Sequence, residues 1–289
     1  MLPVVELGNA QSAFLKTLPS LTTGCYNILM TWGFKRQIFY VGILIVFFLV
    51  FGFLIVRPSF NKAPTCSDGK QNGSETGVDC GGSCALACLA QVDEVSVLWA
   101  RAFPVVPGRY NAVAYLENHN QGVAVNKINY RFRFADKNNV YIGKREGSTY
   151  IPPSGKFAIF EPAIGIGYSI PVYTTFEFTQ VPQWIKISEE KKNQLQVLIS
   201  EIVLSGETTS PVLSAIIKNN SFFTIPELSV VAILYDANHN AVSTSRTFFD
   251  SLDKEESREV TFTWPEPLPV EIVTKEIIPM YNIFLVKLK

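Results

Sequence analysis

The sequence has little histidine, little methionine and no excess of charge of either sign. Two histidines and three methionines occur in 289 residues, and 25 basic and 25 acidic residues give a formal net charge of zero. Balanced charge offers nothing to attract nucleic acid, and scarce histidine leaves few candidates for acid–base catalysis. His119 and His239 both lie in Asn-rich stretches and are interpreted as turn residues. We therefore expect no nucleic-acid partner.

Motifs that would indicate catalysis are also lacking. Neither G-x-S-x-G nor H-E-x-x-H occurs, and the cysteines have no histidine in their own segment. The G-x-G at residues 165–167 lacks the third glycine and the following helix of a phosphate-binding loop. We expect that the chain is not an enzyme.

One long apolar run is the first clear landmark. Residues 38–56 contain no charged side chain, and as a helix they reach about 28 Å, close to the roughly 30 Å of a bilayer core. Lys35 and Arg36 precede the run and Arg57 follows it, so the positive charges barely favour either orientation. A cleaved signal peptide is the alternative, but the run is long, far from Met1 and not followed by a small-x-small site. The sequence predicts an uncleaved transmembrane helix at 38–56 in contact with the lipid bilayer, preceded by a cytoplasmic tail at 1–37.

Cysteine is absent after residue 88, and four of the five cysteines cluster just beyond the apolar run, at Cys66, Cys80, Cys84 and Cys88. A polar segment this short cannot close a hydrophobic core, so cross-links must stabilise it. Two disulfides are expected, with three pairings open. Zinc is the alternative, although the spacing lacks the paired short knuckles of a zinc ribbon. Because disulfides form in oxidising compartments, we expect everything after Arg57 to be extracytoplasmic and residues 57–91 to form a neck.

Oxygen-bearing side chains alternate with these cysteines. Asp68, Asn72, Glu75 and Asp79 are spaced as in a flexible calcium loop, and calcium is the one cofactor the sequence indicates. The alternative is that they cap turns and stay solvated. The stretch CSDGKQNGSETGVDCGGSCALAC, residues 66–88, resembles the short Cys-rich repeat C-x-D-G-x-x-N-G-x-E-T-x-x-D-C-G-G-x-C of bacterial surface proteins. That resemblance implies an extracellular, cysteine-stapled connector.

Beyond residue 90 the pattern is that of short strands. In residues 128–134 apolar and polar side chains alternate strictly, which predicts a half-buried strand. The turn at 136–139 and the extended stretch after it indicate a hairpin, and a similar hairpin recurs about a hundred residues later. AVAYLENHN at 112–120 parallels LSAIIKNNS at 213–221, and Asp136 matches Asp236. Strands at this spacing without long helices predict two tandem β-sandwiches, at 92–190 and 191–289.

The second half also carries a family resemblance. NNSFFTIPELSVVAILYDANHNAVSTS followed by SLDKEESREVTFTW is similar to the FxLYD-type immunoglobulin-like module, over residues 195–289. The first half departs from the motif, with Phe134-Ala135-Asp136 in place of Leu234-Tyr235-Asp236. The resemblance implies a non-catalytic, extracytoplasmic immunoglobulin-like domain. The predicted fold is thus mainly β: one N-terminal transmembrane helix, a short disulfide-rich neck and two tandem immunoglobulin-like sandwiches.

Two surfaces are candidates for partner binding. Lys127, Arg131 and Arg133 should point away from the apolar face of their strand, with Lys144 and Arg145 on the neighbouring strand, as a basic stripe that can meet an anionic partner. A solvated sheet face is the alternative. Residues 162–171 are apolar for a connection between strands, which indicates either a partner contact or a buried strand or edge cover.

These features predict a single-pass cell-membrane protein with a cytoplasmic N-terminus and extracytoplasmic domains. The expected function is structural or adhesive: presentation of the sandwiches as a binding surface, or scaffolding of a cell-envelope assembly, with a protein partner in the membrane or envelope. The alternative is a sensor or accessory subunit of a membrane complex whose outer domains bind a ligand.

Overall fold

The computed structural model describes residues 32–60 and 63–287. Most of the predicted cytoplasmic tail, residues 1–31, lies outside the described residues. The chain divides into two units, Met1–Ala63 and Pro64–Lys289, and each is considered by itself.

The first unit contains one helix, α1(Trp32–Phe60), which is longer than the apolar run at 38–56. Within it, the segment Trp32–Arg57 contains an 18-residue stretch with a mean hydropathy of 3.0, none of which is buried. The helix extends upstream through charged residues, where the Arg36 guanidinium lies 4.3 Å from the Trp32 ring centroid, one helical turn away. Its length and composition suit a membrane anchor, although a signal sequence has the same properties.

The first half of the second unit is antiparallel β structure in two sheets. One sheet has the strand order β1-β2-β5 and the other β4-β3-β6, with β7 paired to the start of β3. The strands are β1(Ser96–Val106), β2(Arg109–Asn118), β3(Val123–Ala135), β4(Tyr141–Ile151), β5(Gly155–Gly165), β6(Tyr173–Phe178) and β7(Ile185–Lys186). On β3 the predicted alternation is confirmed, since Ile128, Tyr130, Phe132 and Phe134 are all buried.

The second half repeats this plan after a short helix, α2(Glu189–Gln194), whose Ser188 cap accepts a hydrogen bond from Lys191 N. Its sheets have the orders β12-β9-β8 and β11-β10-β13. The strands are β8(Val197–Ser205), β9(Val212–Asn219), β10(Ile225–Tyr235), β11(Ala241–Leu252), β12(Ser257–Thr263) and β13(Thr274–Met280). The fold is therefore mainly β, as predicted, while the domain boundaries at 92 and 191 stay predictions.

The internal repeat holds at the level of single hydrogen bonds. Asn118 and Asn219, which align in the sequence repeat, are both buried, and each amide nitrogen donates to carbonyls of neighbouring loops. Asp136 and Asp236 each accept from the backbone N–H groups two and four residues later. His239 has a φ of 59° in the second of these turns, which supports its interpretation as a turn residue.

Sheet β1-β2-β5 packs against sheet β11-β10-β13, so each sandwich contributes one sheet to their contact. Residues 112–116 of β2 are buried without alternation, as are residues 230–235 of β10; a strand covered on both faces has a continuous apolar run. One hydrophobic cluster accordingly joins Val113 and Phe160 of the first half to Val231, Ile233 and Ile278 of the second. The two sandwiches are thus halves of one compact unit.

Candidate binding surfaces of the neck and the first sandwich

The neck cysteines form two disulfides, Cys66–Cys84 with Cα atoms 5.6 Å apart and Cys80–Cys88 with Cα atoms 5.1 Å apart. The zinc alternative is wrong for these cysteines because their sulfurs are bonded in two pairs and none is left as a thiolate ligand. Gly82, at a φ of +50°, permits the close turn beside them, since a Cβ there would lie 1.7 Å from the Ser74 carbonyl oxygen.

The predicted calcium ligands are held by hydrogen bonds within the neck. Asp68 accepts from Lys70 N and from the Asn72 amide at 2.8 Å, and the Asn72 contact is the main cause that lowers the pKa of Asp68. The Asp79 carboxylate accepts from Gly69 N at 2.9 Å. Glu75 accepts from Asn72 N at 3.2 Å and from Asp79 N at 3.4 Å. These side chains cap turns, as the alternative interpretation expected.

Calcium coordination by the four neck residues stays a prediction. Among the described residues of the neck, three side chains place potential metal-ligand atoms within 4.8 Å of one another: Cys66, Glu75 and Cys84. The two sulfurs of this group are bonded to each other in a disulfide. One oxygen is uncommitted, because Asn72 Oδ1 is buried without a hydrogen-bond partner.

The neck is docked on the first sandwich rather than free. Ala87 N donates to the Trp184 carbonyl at 2.9 Å, and Lys186 N donates to the Ala85 carbonyl at 2.8 Å. The Lys186 ammonium also reaches the Gly82 carbonyl at 2.7 Å. β7 pairs on its other side with Val123 and Ala124 at the start of β3. The neck therefore lies beside β7, at the N-terminal end of β3.

The predicted basic stripe is a network of ion pairs, here called the ladder. Arg131 contacts Glu146 at 2.6 Å and Glu177 at 3.2 Å, Arg133 contacts Glu177 at 3.0 Å, and Lys144 contacts Glu146 at 3.1 Å. The hydrogen bond between Arg131 and Glu146 is the main cause that raises the pKa of Arg131 and lowers the pKa of Glu146. Three cations share two carboxylates, so the ladder keeps only a small positive excess.

Partner binding by Lys127, Arg131 and Arg133 therefore stays a prediction for a surface that is largely neutralised. Lys127 is exposed beside a bulge in β3. Arg145 does not join this face: it is opposite Phe132 in the register and pairs with Glu161 at 2.9 Å. The expected grouping of Arg145 with Lys144 is wrong because adjacent residues of a strand point to opposite faces.

Glu161 is a buried carboxylate that no sequence motif indicated. It accepts a 2.5 Å hydrogen bond from the Tyr130 hydroxyl across the first sandwich, besides its ion pair with Arg145. Burial and this hydrogen bond raise the pKa of Tyr130. Gly147 makes room for the contact, because a Cβ there would lie 2.5 Å from the Tyr130 hydroxyl oxygen. The cluster links two sheets and is a structural feature of the core.

A second carboxylate links the two sandwiches. Glu276 on β13 accepts from the hydroxyl of Tyr115 on β2 at 2.6 Å and from that of Tyr235 on β10 at 2.7 Å. The pKa of both tyrosines is raised, mainly by desolvation and next by the hydrogen bond to Glu276. Arg246 adds a contact across the same boundary by donating to the Phe160 carbonyl.

The end of the first sandwich opposite the neck carries exposed apolar side chains, here called the tip. Tyr168 is fully exposed and Ile170 is 65% exposed, so the buried-strand interpretation is wrong for this part of residues 162–171. Ala135 at the end of β3 pairs with Tyr141 on one side and Tyr173 on the other, which makes the tip continuous with the ladder. The tip consists of Val140, Tyr141, Tyr168, Ile170, Val172 and Tyr173.

The described residues include one serine–histidine–acid grouping. His119 Nε2 lies 3.1 Å from Ser96 Oγ and 4.0 Å from Glu117 Oε2. Both partners face the same ring nitrogen, whereas a triad needs the acid on the nitrogen opposite the nucleophile. The grouping lacks that geometry, and the expectation of a non-enzyme stays a prediction.

No protein-family model matches the chain, and no curated protein matches it in sequence. Among solved structures, the crystal structure of red sea bream transglutaminase is similar over 67% of this chain and 30% of its own, with 9% identity and a TM-score of 0.23. The chain spans less than a third of that protein's length. A likeness this weak supports no statement about activity.

Proposed function

We propose that this protein is anchored in a membrane by α1, with its N-terminus in the cytoplasm, and presents two immunoglobulin-like sandwiches outside that membrane as a rigid structural or adhesive body. The observation that carries the proposal is the neck. Two disulfides follow shortly after a helix long and apolar enough to span a bilayer, and disulfides persist where the environment is oxidising.

The docking of the neck supports a structural role over a flexible tether. Backbone hydrogen bonds join it to Trp184 and Lys186, and the two sandwiches share a hydrophobic cluster. A surface at the far end of such a body is held in a fixed position relative to the neck. Pre-positioning of this kind reduces the ordering cost of binding a partner.

Topology is the first test. Intact cells that carry a C-terminally tagged chain are treated with protease, and the tag is followed with and without permeabilisation. We expect cleavage from outside, with the α1 peptide retained in the purified protein by mass spectrometry. Protection of the tag in intact cells, or absence of α1 from the mature protein, would contradict the proposal.

The adhesive role has a separate test, deletion of residues 1–34. A body that acts through its outer surface should keep cell attachment without these residues, because they precede the apolar run. Loss of attachment with correct surface display would instead point to a sensor or accessory subunit that works through its tail.

A further inference from the structure

We propose that the tip inserts into the headgroup region of a second bilayer that contains anionic lipids. The proposal rests on the proposed function, because the body must lie outside its anchoring membrane, and it adds the chemical class of the surface that is bound. Its basis is the combination of exposed apolar side chains, a cationic border and a position remote from the neck.

The apolar character of the tip is concentrated in one loop. The loop between β5 and β6, residues 166–172, contains no charged residue, and its Ile170 and Val172, together with Tyr173 at the start of β6, are all at least half exposed. Contiguous exposed apolar surface on a protein marks an interaction site. Tyrosine and aliphatic side chains together are typical of segments that sit at the boundary between headgroups and acyl chains.

The loop is supported from below, so the tip is a shaped projection. Val172 N donates to the Ala135 carbonyl at 2.9 Å, and Ile166 packs against the core of the sandwich. Above these contacts Tyr168 is completely exposed. A convex projection fits between lipid headgroups, whereas the anchors of protein interfaces cluster in well-packed pockets.

Charge at the border of the tip favours an anionic surface. The border and the adjoining ladder together keep a positive excess of two, since the ion pairs of the ladder neutralise part of its charge. The cations are Arg109, Arg131, Arg133, Lys137 and Lys144, and the carboxylates are Asp136, Glu146 and Glu177. Asp136 accepts two backbone hydrogen bonds in the turn. Arg109 is opposite Gly165, the last residue of β5 before the loop, and donates to the Ala163 carbonyl. Basic residues around an apolar insertion point strengthen binding to anionic lipids.

The tip and the neck lie at opposite ends of the first sandwich. The neck pairs with the fold at Ala124, through β7, while the tip adjoins Ala135 of the same strand. Eleven residues of extended chain separate the two positions by about 36 Å. Because the neck is the segment that joins this sandwich to α1 in the sequence, we assign the tip to a bilayer other than the one that holds α1.

The test uses full-length protein in nanodiscs of phosphatidylcholine, mixed with vesicles of phosphatidylcholine alone or with phosphatidylglycerol, and scored by co-flotation. We expect the mixed vesicles to be bound and salt to weaken the binding. Ile170→Ser and Tyr168→Ser should each reduce affinity roughly tenfold, because each removes one inserted side chain. The matched control is Phe222→Ser, at a 75% exposed residue of the second sandwich.

A charge pair of variants separates electrostatics from insertion. Lys137→Glu should weaken binding to the mixed vesicles, and Lys254→Glu, in an exposed turn of the second sandwich, should leave it unchanged. The fold is monitored by urea unfolding followed by tryptophan fluorescence, which these surface changes should not alter.

Equal binding to both vesicle types, or tip variants that bind as well as the parent, would overturn the proposal. So would binding to vesicles that carry envelope proteins but not to protein-free vesicles of the same lipids, which would assign the tip to a protein partner. Failure of the proposed function has a different signature: α1 would be extracted from membranes by carbonate.

Discussion

Replacing Tyr115 with phenylalanine removes one hydroxyl at the contact between the two sandwiches and leaves the packing of the ring unchanged. In the native chain Glu276 accepts one hydrogen bond from Tyr115 and one from Tyr235. Both tyrosines are buried, with 5% and 9% of their surface exposed. The carboxylate therefore depends on these two donors for much of its solvation inside the protein.

The expected loss of unfolding free energy follows from the strength of a hydroxyl-to-carboxylate hydrogen bond. Hydrogen bonds to a charged group contribute about 1.5–3 kcal/mol, and the 2.6 and 2.7 Å distances are those of hydroxyl-to-carboxylate bonds. Glu276 is only partly buried, so water replaces some of what is lost. We expect Tyr115→Phe to lower the free energy of unfolding by about 2 kcal/mol. The double variant with Tyr235→Phe should lose at least the sum, because the last donor is then removed.

Urea unfolding of the full chain in nanodiscs, followed by tryptophan fluorescence, measures these differences. Tyr141→Phe is the matched control, since that hydroxyl belongs to a 59% exposed residue of the tip and its removal should cost nothing measurable. A loss below about 0.5 kcal/mol for Tyr115→Phe would place it among ordinary surface changes. That result would refute the argument that Glu276 couples the two sandwiches.

Three further predictions concern other parts of the chain. The pKa of Tyr115, Tyr130 and Tyr235 is raised in the folded state, so their contribution to stability is complete below pH 10 and falls above it, because unfolded tyrosines ionise first. The free energy of unfolding, measured by urea titration, should fall by up to about 1.4 kcal/mol per pH unit for each tyrosine, and a flat alkaline profile would contradict this. Gly147→Ala should lower the free energy of unfolding by about 2 kcal/mol, because the added methyl group displaces Tyr130 from Glu161. The control Gly52→Ala, at a position with open space around it, should not change the unfolding of the sandwiches. Equal effects of the two changes would be inconsistent with the crowding at Gly147. Peptide mapping without reduction should recover Cys66 linked to Cys84 and Cys80 linked to Cys88. Replacing Cys66 and Cys84 together with serine should destabilise the neck by about 3 kcal/mol, measured as faster proteolysis. Other pairings, or a variant neck that resists protease as well as the parent, would contradict the role of these disulfides.

Local patterns predicted the local structure. The uncharged run at 38–56 predicted a helix, and strict alternation at 128–134 predicted a strand with one buried face. The repeat between residues 112–120 and 213–221 aligned Asn118 with Asn219, and both are buried in equivalent places. Each of these results depends on periodicity or on residues close in sequence, where the backbone geometry alone relates the side chains.

The site was less accessible to this reasoning. Lys127, Arg131 and Arg133 were correctly placed on an outer face, but the carboxylates that neutralise the ladder come from β4 and β6, and nothing in the sequence marks their register. The apolar stretch at 162–171 was ambiguous, since a buried strand and an exposed loop have the same composition.

The sequence by itself determined the membrane-spanning potential of α1, the β-rich halves and the presence of a cysteine-stapled neck, because composition and short-range spacing are sufficient for each. Only the tertiary structure decided which cysteines pair, that Glu161 and Glu276 join sheets, that the neck docks on β7, and that the tip stands exposed. These features depend on which strands meet across a core, and residues that meet there are separated by up to 161 positions in the chain.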